Sequence, residues 1–362
     1  MKKVALKILL LFVLVFTINS IVHKALVPYD WGDDVLRVKN EYYNSHQAQF
    51  NTVFVGGSLF YRHLDPYQFD SLNAVNGIET SSFNYGVDGN NHIKQMILMD
   101  HLLDQKQTHL KYIFFALSSN SYFEDRNMHT QKFVTWINFK SLTYAIKVAM
   151  DEDANLRQRL KVVYQYTLSW LENRLNAGTG LNLVKFELTD KKKYKGEKMR
   201  KLHLGVHQDG FRPYYFPEGV DSAQLSYADQ LLYWSNNFFK KNHDDMDTIM
   251  DMYYKDYLAY EQNGAHLNQA MVDCYMDLIE KANKKGIQLI ALIPPRSRLP
   301  YSVLLPVYEA LPEKNRMNFG NPNEYPAFYD YDNTFNFYHM NPKGAAIYTE
   351  EVANAFSKIA EQ

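Results

Sequence analysis

The sequence predicts an α/β protein built in three layers, a mostly parallel sheet with helices on both faces, and carrying a largely helical insertion. Three observations predict it. Short apolar runs of strand length recur without strict polar alternation, as strands buried on both faces require. Segments with helical spacing separate those runs, the order that gives parallel strands. The alternation stops at about residue 121 and resumes at about 265. With 362 residues the chain has room for one elaborated domain or two.

The first element is an apolar run over residues 4–22, interrupted by Lys7 and preceded by Met1-Lys2-Lys3. A basic flank before such a run marks a secretory signal or a single membrane anchor. No small-x-small cleavage site is clear after it and no cysteine follows for lipid attachment, so an uncleaved anchor over 1–24 is favoured over a cleaved signal. Either way the bulk of the chain is exported, as a single-pass protein of the cell membrane or a secreted one. A buried helix of a cytosolic domain fits less well, because the run is apolar on nearly all sides.

After a linker the α/β domain spans 50–362. Its strand candidates are 52–56, 82–85, 111–117, 287–293 and 327–331. Residues 91–105 show helical spacing through Ile93, Met96, Ile97, Met99 and Leu102. Residues 265–285 form a long helix that stops at Gly286, a residue suited to the left-handed cap. Asn341 then Pro342 is an N-cap followed by proline at the first helical position, opening a helix that runs to about residue 360. The insertion, 121–264, is helical over 142–150 and 156–176. It leaves the sheet after the third strand, at the strand ends where ligands of open α/β sheets bind, and is expected to roof that site.

The formal charge of −1 gives no reason to expect a nucleic-acid partner. Aromatic residues make up 15%, with 28 tyrosines, a content that suits surfaces touching sugars or proteins and equally a tyrosine-rich background. Cys274 stands alone, which rules out an intrachain disulfide and a thiolate metal cluster. It falls in a helical pattern as a small core residue. The histidines lack paired ligand spacing. No metal and no cofactor are expected.

The reactive residues fall at strand ends. Ser58 follows the run Thr52-Val53-Phe54-Val55-Gly56-Gly57, and His339 lies in Tyr338-His339-Met340-Asn341-Pro342. A serine hydroxyl becomes a nucleophile when a positioned imidazole takes its proton. Gly86 follows the second strand candidate in Asn84-Tyr85-Gly86-Val87-Asp88-Gly89, and Asn120 follows the third in Leu117-Ser118-Ser119-Asn120. Each has a plain structural reading: Ser58 as a helix N-cap, His339 as a satisfied ring beside a helix start, Gly86 as a tight turn, Asn120 as a turn residue.

Together, in this order and strand context, the four blocks resemble the SGNH, or GDSL-like, hydrolase superfamily. The resemblance covers about 52–120 and 265–360 and implies a flavodoxin-like α/β/α fold. It implies Ser58 as nucleophile and His339 as general base, with the Ser58 and Gly86 N–H groups and the Asn120 amide forming an oxyanion hole. Many members carry an aspartate three residues before the histidine; here that position is Asn336, with Asp332, Asp330 or a backbone carbonyl as the other candidates to orient the ring. The first block reads Gly-Gly-Ser-Leu in place of Gly-Asp-Ser-Leu. Arg62 and His63, Asn90 and His92, and Arg296 and Arg298 are secondary candidates for the pocket mouth, with surface or structural roles the stronger reading.

An anchored, exported domain of this kind is similar in layout to the D-alanyl transfer protein of teichoic acid synthesis and to the alginate O-acetylation proteins. That likeness implies an O-acyltransferase or esterase moving an acyl group, acetyl above all, to or from a cell-envelope polysaccharide beside a multi-spanning membrane O-acyltransferase. The alternatives are a stand-alone exported esterase or lipase acting on small esters, and a non-catalytic scaffold with a degenerate site.

Overall fold

The computed structural model describes residues 2–26, 33–90, 92–105, 108–118, 128–175, 197–216, 221, 223, 227–241, 245–296 and 301–360. The chain divides into two compact units, one of residues 1–41 with 120–200 and the other of 42–119 with 201–362. The segment 121–264 is therefore shared between them.

The first unit is helical. Helix α1 is Lys2–Leu26, and α2, Asp34–His46, begins in this unit. The large side chains of α1 from Val4 to Ile18 are mostly exposed, as expected of a run apolar on all sides. Among the described residues no helix is long and apolar enough to cross a membrane.

Among the described residues the first unit also holds α3 (Gln131–Val134), α4 (Phe139–Met150) and α5 (Leu156–Arg174). Asn138 and Ser141 cap α4 reciprocally, and Asn155 and Gln158 do the same for α5. Each pair satisfies two of the backbone donors that a helix start leaves open. Trp170 of α5 meets Phe16 of α1 at 6.0 Å and Phe139 of α4 at 6.3 Å between ring centres.

The second unit holds the sheet. In chain order its elements are β1 (Thr52–Val55), α6 (Ser58–His63), α7 (Pro66–Val75), β2 (Ser82–Asn84), α8 (His92–Asp104), β3 (Tyr112–Ala116), α9 (Glu197–Leu204, which begins in the first unit's range), α10 (Tyr227–Lys241), α11 (Asp245–Asn263), α12 (Gln269–Asn283), β4 (Gln288–Ile293), α13 (Tyr301–Ala310), β5 (Arg316–Asn318) and α14 (Pro342–Ala360). The strands lie in the order β2-β1-β3-β4-β5 and every pairing is parallel. That is the order of doubly wound, flavodoxin-like sheets.

Neighbouring residues of β3 show why both faces must be covered. Phe114 meets Phe54 of β1, Phe69 of α7 and Phe356 of α14. Its neighbour Phe115 points the other way, stacking on Tyr275 of α12 at 5.0 Å. Side chains alternate across a strand, so an unbroken apolar strand needs helices above and below.

Much of the tyrosine content is core. Tyr43, Tyr61, Tyr85, Tyr166, Tyr275, Tyr301, Tyr329 and Tyr348 are among the largest fully buried side chains. Cys274 is half-buried rather than a core residue.

Two expected boundaries move. Residues 327–331 form no strand; Pro326–Tyr329 and Tyr331–Asn333 are 3₁₀ turns, and the fifth strand is β5. Pro326 opens the first turn and the Asp330 carboxylate accepts the Asp332 N–H in the second, both local turn chemistry. β5 escapes a reading by hydrophobic pattern because it is a three-residue edge strand, Arg-Met-Asn. Helix α12 starts four residues later than expected, where the Asn268 side chain accepts the Met271 N–H at 3.0 Å.

Candidate active site

Ser58 is the first residue of α6, with Gly57 as N-cap, directly after the carboxyl end of β1. Its neighbours hold α6 in place through Asn84 at the end of β2. The Asn84 amide nitrogen donates to the carbonyls of Phe60 and Leu64, each at 2.7 Å, and its oxygen accepts the Gly86 N–H at 2.8 Å. Two carbonyls on one side and an N–H on the other fix which end of that amide is which. Sequence reasoning passed over Asn84; the signal was a polar residue ending an otherwise apolar strand.

His339 does not follow a strand. It sits in a tight bend beyond the 3₁₀ turns, closed by Phe335 N–H to the His339 carbonyl at 2.8 Å and by a bridge between Thr334 and Met340. Helix α14 begins next, with the Asn341 side chain accepting the Gly344 N–H at 3.0 Å.

The bend and the α6 start meet. His339 Nε2 lies 2.9 Å from Ser58 Oγ, joining residues 281 positions apart. On the other side of the ring, Nδ1 lies 3.0 Å from Asn336 Oδ1. That same oxygen accepts the backbone N–H of Tyr338 at 3.1 Å and of His339 at 3.0 Å. Two backbone donors require an oxygen at this position, so Nδ1 carries the ring proton and Nε2 is the acceptor facing Ser58. Asn336 thus selects the tautomer that a general base needs, without supplying a charge. His339 and Asn336 are both buried. Asp332 is exposed, and its carbonyl takes the Asn341 amide, so it does not orient the ring.

Behind His339 lies His63, fully buried and 5.9 Å away between ring centres. His63 Nε2 accepts the Met340 N–H at 3.0 Å, which pins the residue after His339. Burial, with His339, Arg296 and Arg62 nearby, holds His63 well below the ordinary imidazole value, so it stays neutral. On the opposite side Tyr214 meets the His339 ring edge-to-face at 4.8 Å.

The remaining expected positions divide as follows. Gly86 does not face the pocket. Its N–H is taken by Asn84, and a Cβ there would come within 2.5 Å of the Tyr61 backbone nitrogen. It is glycine because α6 packs directly on it, which removes it as an oxyanion donor. Gly89, three residues on at φ +67, lines the pocket beside Ser58 instead. Asn90 also lines the pocket, and its amide donates to the Gly56 carbonyl at 3.0 Å. Asn120 and Arg298 lie outside the described residues.

Arg62 is buried rather than at the mouth. It pairs with Asp88, donates to the Arg212 carbonyl at 3.1 Å and lies between the rings of Tyr61 and Tyr214. His92 is buried against Tyr275, whose hydroxyl lies 2.8 Å from His92 Nδ1; burial pulls its value down to about 3. Arg296 has no exposed surface and sits at φ +57. Its guanidinium donates to the Phe328 carbonyl, the Thr334 hydroxyl and, at 3.4 Å, the Asn336 carbonyl. It therefore ties together the segment that carries Asn336 and His339. Burial pulls its value down to about 10.

A cavity of about 390 Å³ opens onto Ser58 and His339. Ala116, Leu117, Pro294, Leu232, Tyr214 and Tyr338 line it, with Asp88, Asn90, Gln95 and Ser118 among the polar members. Among the described residues no cluster of His, Cys, Asp or Glu is arranged to hold a metal ion. The assembled parts are a hydroxyl, a tautomer-fixed base and backbone N–H groups at the start of α6, facing a small, mainly apolar pocket.

No protein-family model matches this chain, and no curated protein matches it.

Proposed function

We propose that the protein is an SGNH-type serine O-acyltransferase or esterase that works outside the cytoplasm on acyl esters of a cell-envelope polysaccharide. The observation that carries this reading is the Ser58 Oγ to His339 Nε2 contact at 2.9 Å, with Asn336 holding the proton on Nδ1. In the proposed reaction Ser58 Oγ attacks the ester carbonyl while His339 Nε2 takes its proton. The backbone N–H of Ser58, unpaired within its helix by position, is a donor for the oxyanion, and Gly89, which lines the same cavity, would supply the second. His339 then protonates the departing alkoxide, leaving an acyl group on Ser58. An acceptor hydroxyl, deprotonated by the same Nε2, takes the acyl group; water in its place gives hydrolysis.

The small, mainly apolar cavity suits a short acyl group, acetyl above all. The basic flank and apolar run of α1 support anchorage in the cell membrane, and a multi-spanning membrane O-acyltransferase is the partner this layout implies. A second reading, a binding protein with a degenerate site, draws on Asn336, which gives the imidazolium no opposing charge.

Intact mass after fluorophosphonate treatment separates the two. The catalytic reading expects one adduct on the wild type, none on Ser58→Ala and labelling slowed at least a hundredfold on His339→Ala. A wild-type protein that takes up no adduct under conditions that label a control serine esterase overturns it.

A further inference from the structure

The wall of the Ser58 cavity contains a half-satisfied amide. Gln95, on α8, lines the cavity and is 2% exposed. Its Nε2 donates to Ser118 Oγ at 3.3 Å, and its Oε1 is buried with no hydrogen-bond partner. Among the described residues it is the one side chain of this cavity with a buried, unpartnered polar atom. The oxygens of Asn84 and Asn336 both accept hydrogen bonds, and Asn90, the other amide of the cavity wall, donates to the Gly56 carbonyl. Ala116, Leu117 and Pro294, which line the same cavity, supply no side-chain donor. Native proteins rarely leave a buried amide oxygen unpaired, and a ligand is one of the few partners able to satisfy it. The terminal amide of glutamine turns on a soft torsion, so either end can be brought toward the cavity.

We propose that Gln95, backed by Ser118, is a specificity-determining residue that recognises a hydroxyl group next to the ester being cleaved or formed. This rests on the acyl-transfer reading of Ser58 and His339. A hydroxyl is the group that fits, because it donates to Oε1 once the amide turns to present that oxygen to the cavity and accepts from the amide nitrogen if the two ends exchange. An unsubstituted acyl ester leaves the amide half-paired. A site built to bond a hydroxyl discriminates strongly against the analogue that lacks it. The hydroxyl has two chemical sources: the acyl group, as in a 2-hydroxyacyl ester, or the alcohol, as in a sugar ester flanked by a vicinal hydroxyl.

The test compares kcat/KM for two ester pairs, phenyl acetate against phenyl glycolate and ethyl acetate against 2-hydroxyethyl acetate, each ratio divided by the ratio of hydroxide-catalysed rates. The wild type is expected to favour the hydroxylated member of one pair by about tenfold, and the pair concerned identifies the source. Gln95→Leu and the more flexible Gln95→Met are expected to bring that corrected ratio toward one, while Gln95→Glu keeps a preference. A wild-type corrected ratio near one in both pairs overturns the proposal without calling on any variant, and so does a preference that survives in Gln95→Leu or Gln95→Met. Fluorophosphonate labelling of Ser58, run in parallel, tells the two failures apart. With labelling intact only the role of Gln95 falls, and with labelling absent the acyl-transfer reading falls with it.

Discussion

Replacing Asn336 by aspartate adds one charge at the point where the ring is held and changes almost nothing in shape. All three groups that now meet Asn336 Oδ1 are donors: His339 Nδ1 at 3.0 Å and the N–H groups of His339 and Tyr338 at 3.0 and 3.1 Å. A carboxylate accepts all three, with stronger, charge-assisted bonds. A unit charge about 4 Å from a developing imidazolium is worth about 4 kcal/mol at an effective dielectric constant near 20. Burial works against it, since Asn336 is 5% exposed, and the Arg296 guanidinium, 3.4 Å from the Asn336 carbonyl, partly offsets that loss. A net gain of about 1–3 kcal/mol corresponds to ~5- to 150-fold in the step that builds the imidazolium. The assay is the pseudo-first-order rate of Ser58 modification at pH 7, read by intact mass, with circular dichroism as the check on folding. Asn336→Ala is the opposing arm: it removes the acceptor, frees the ring to rotate and take the other tautomer, and is expected to slow the reaction by ~100-fold or more. A folded Asn336→Asp protein within twofold of the wild type, together with an Asn336→Ala protein within threefold, refutes the assignment of Asn336 as the residue that orients His339.

Three further outcomes follow from the same geometry. Gly86→Ala places a methyl 2.5 Å from the Tyr61 nitrogen and 2.8 Å from its Cα, backbone that cannot yield without moving α6; thermal denaturation should show a loss of about 2–4 kcal/mol, and an unchanged midpoint contradicts the close packing. Arg296→Met removes the donors that tie Phe328, Thr334 and Asn336 together, so a loss of about 2–4 kcal/mol in urea denaturation is expected, accompanied by slower Ser58 labelling. His63 and His92 stay neutral when folded, both lowered by burial, His92 to about 3. The unfolded chain takes up protons near pH 6.5 and the folded chain does not, so their contribution is full above that value and shrinks as the pH falls. Between pH 7 and 5.5 the two together should cost about 2 kcal/mol in urea denaturation, His92→Gln should halve the slope, and a flat profile contradicts the neutral buried rings.

Local signals carried much of this protein. The apolar runs gave four of the five strands, because strands buried on both faces leave a mark that needs no neighbour to read. Asn341-Pro342 and Gly286 gave helix ends, since capping is chemistry within a few residues. The glycine-serine turn and the histidine before a helix start drew attention to Ser58 and His339 for the same reason. The fifth strand escaped because three residues at a sheet edge are held by pairing with β4 and by nothing in their own composition.

What the tertiary structure decided is who touches whom. The sequence pointed to Gly86, and packing against α6 spends it as a spacer, while Gly89, three residues on, lines the cavity. It offered Arg62, His92 and Arg296 as secondary candidates for the pocket mouth, with surface or structural roles the stronger reading, and folding buried all three, one with Asp88, one against Tyr275, one inside the loop that bears His339. It gave no sign that Gln95, one polar residue in a helix, would end half-paired beside Ser58. Hydrogen bonds reach about 3 Å and are blind to distance along the chain. A residue type and its near neighbours therefore set what a side chain is able to do, and only the folded packing settles which of those abilities is used.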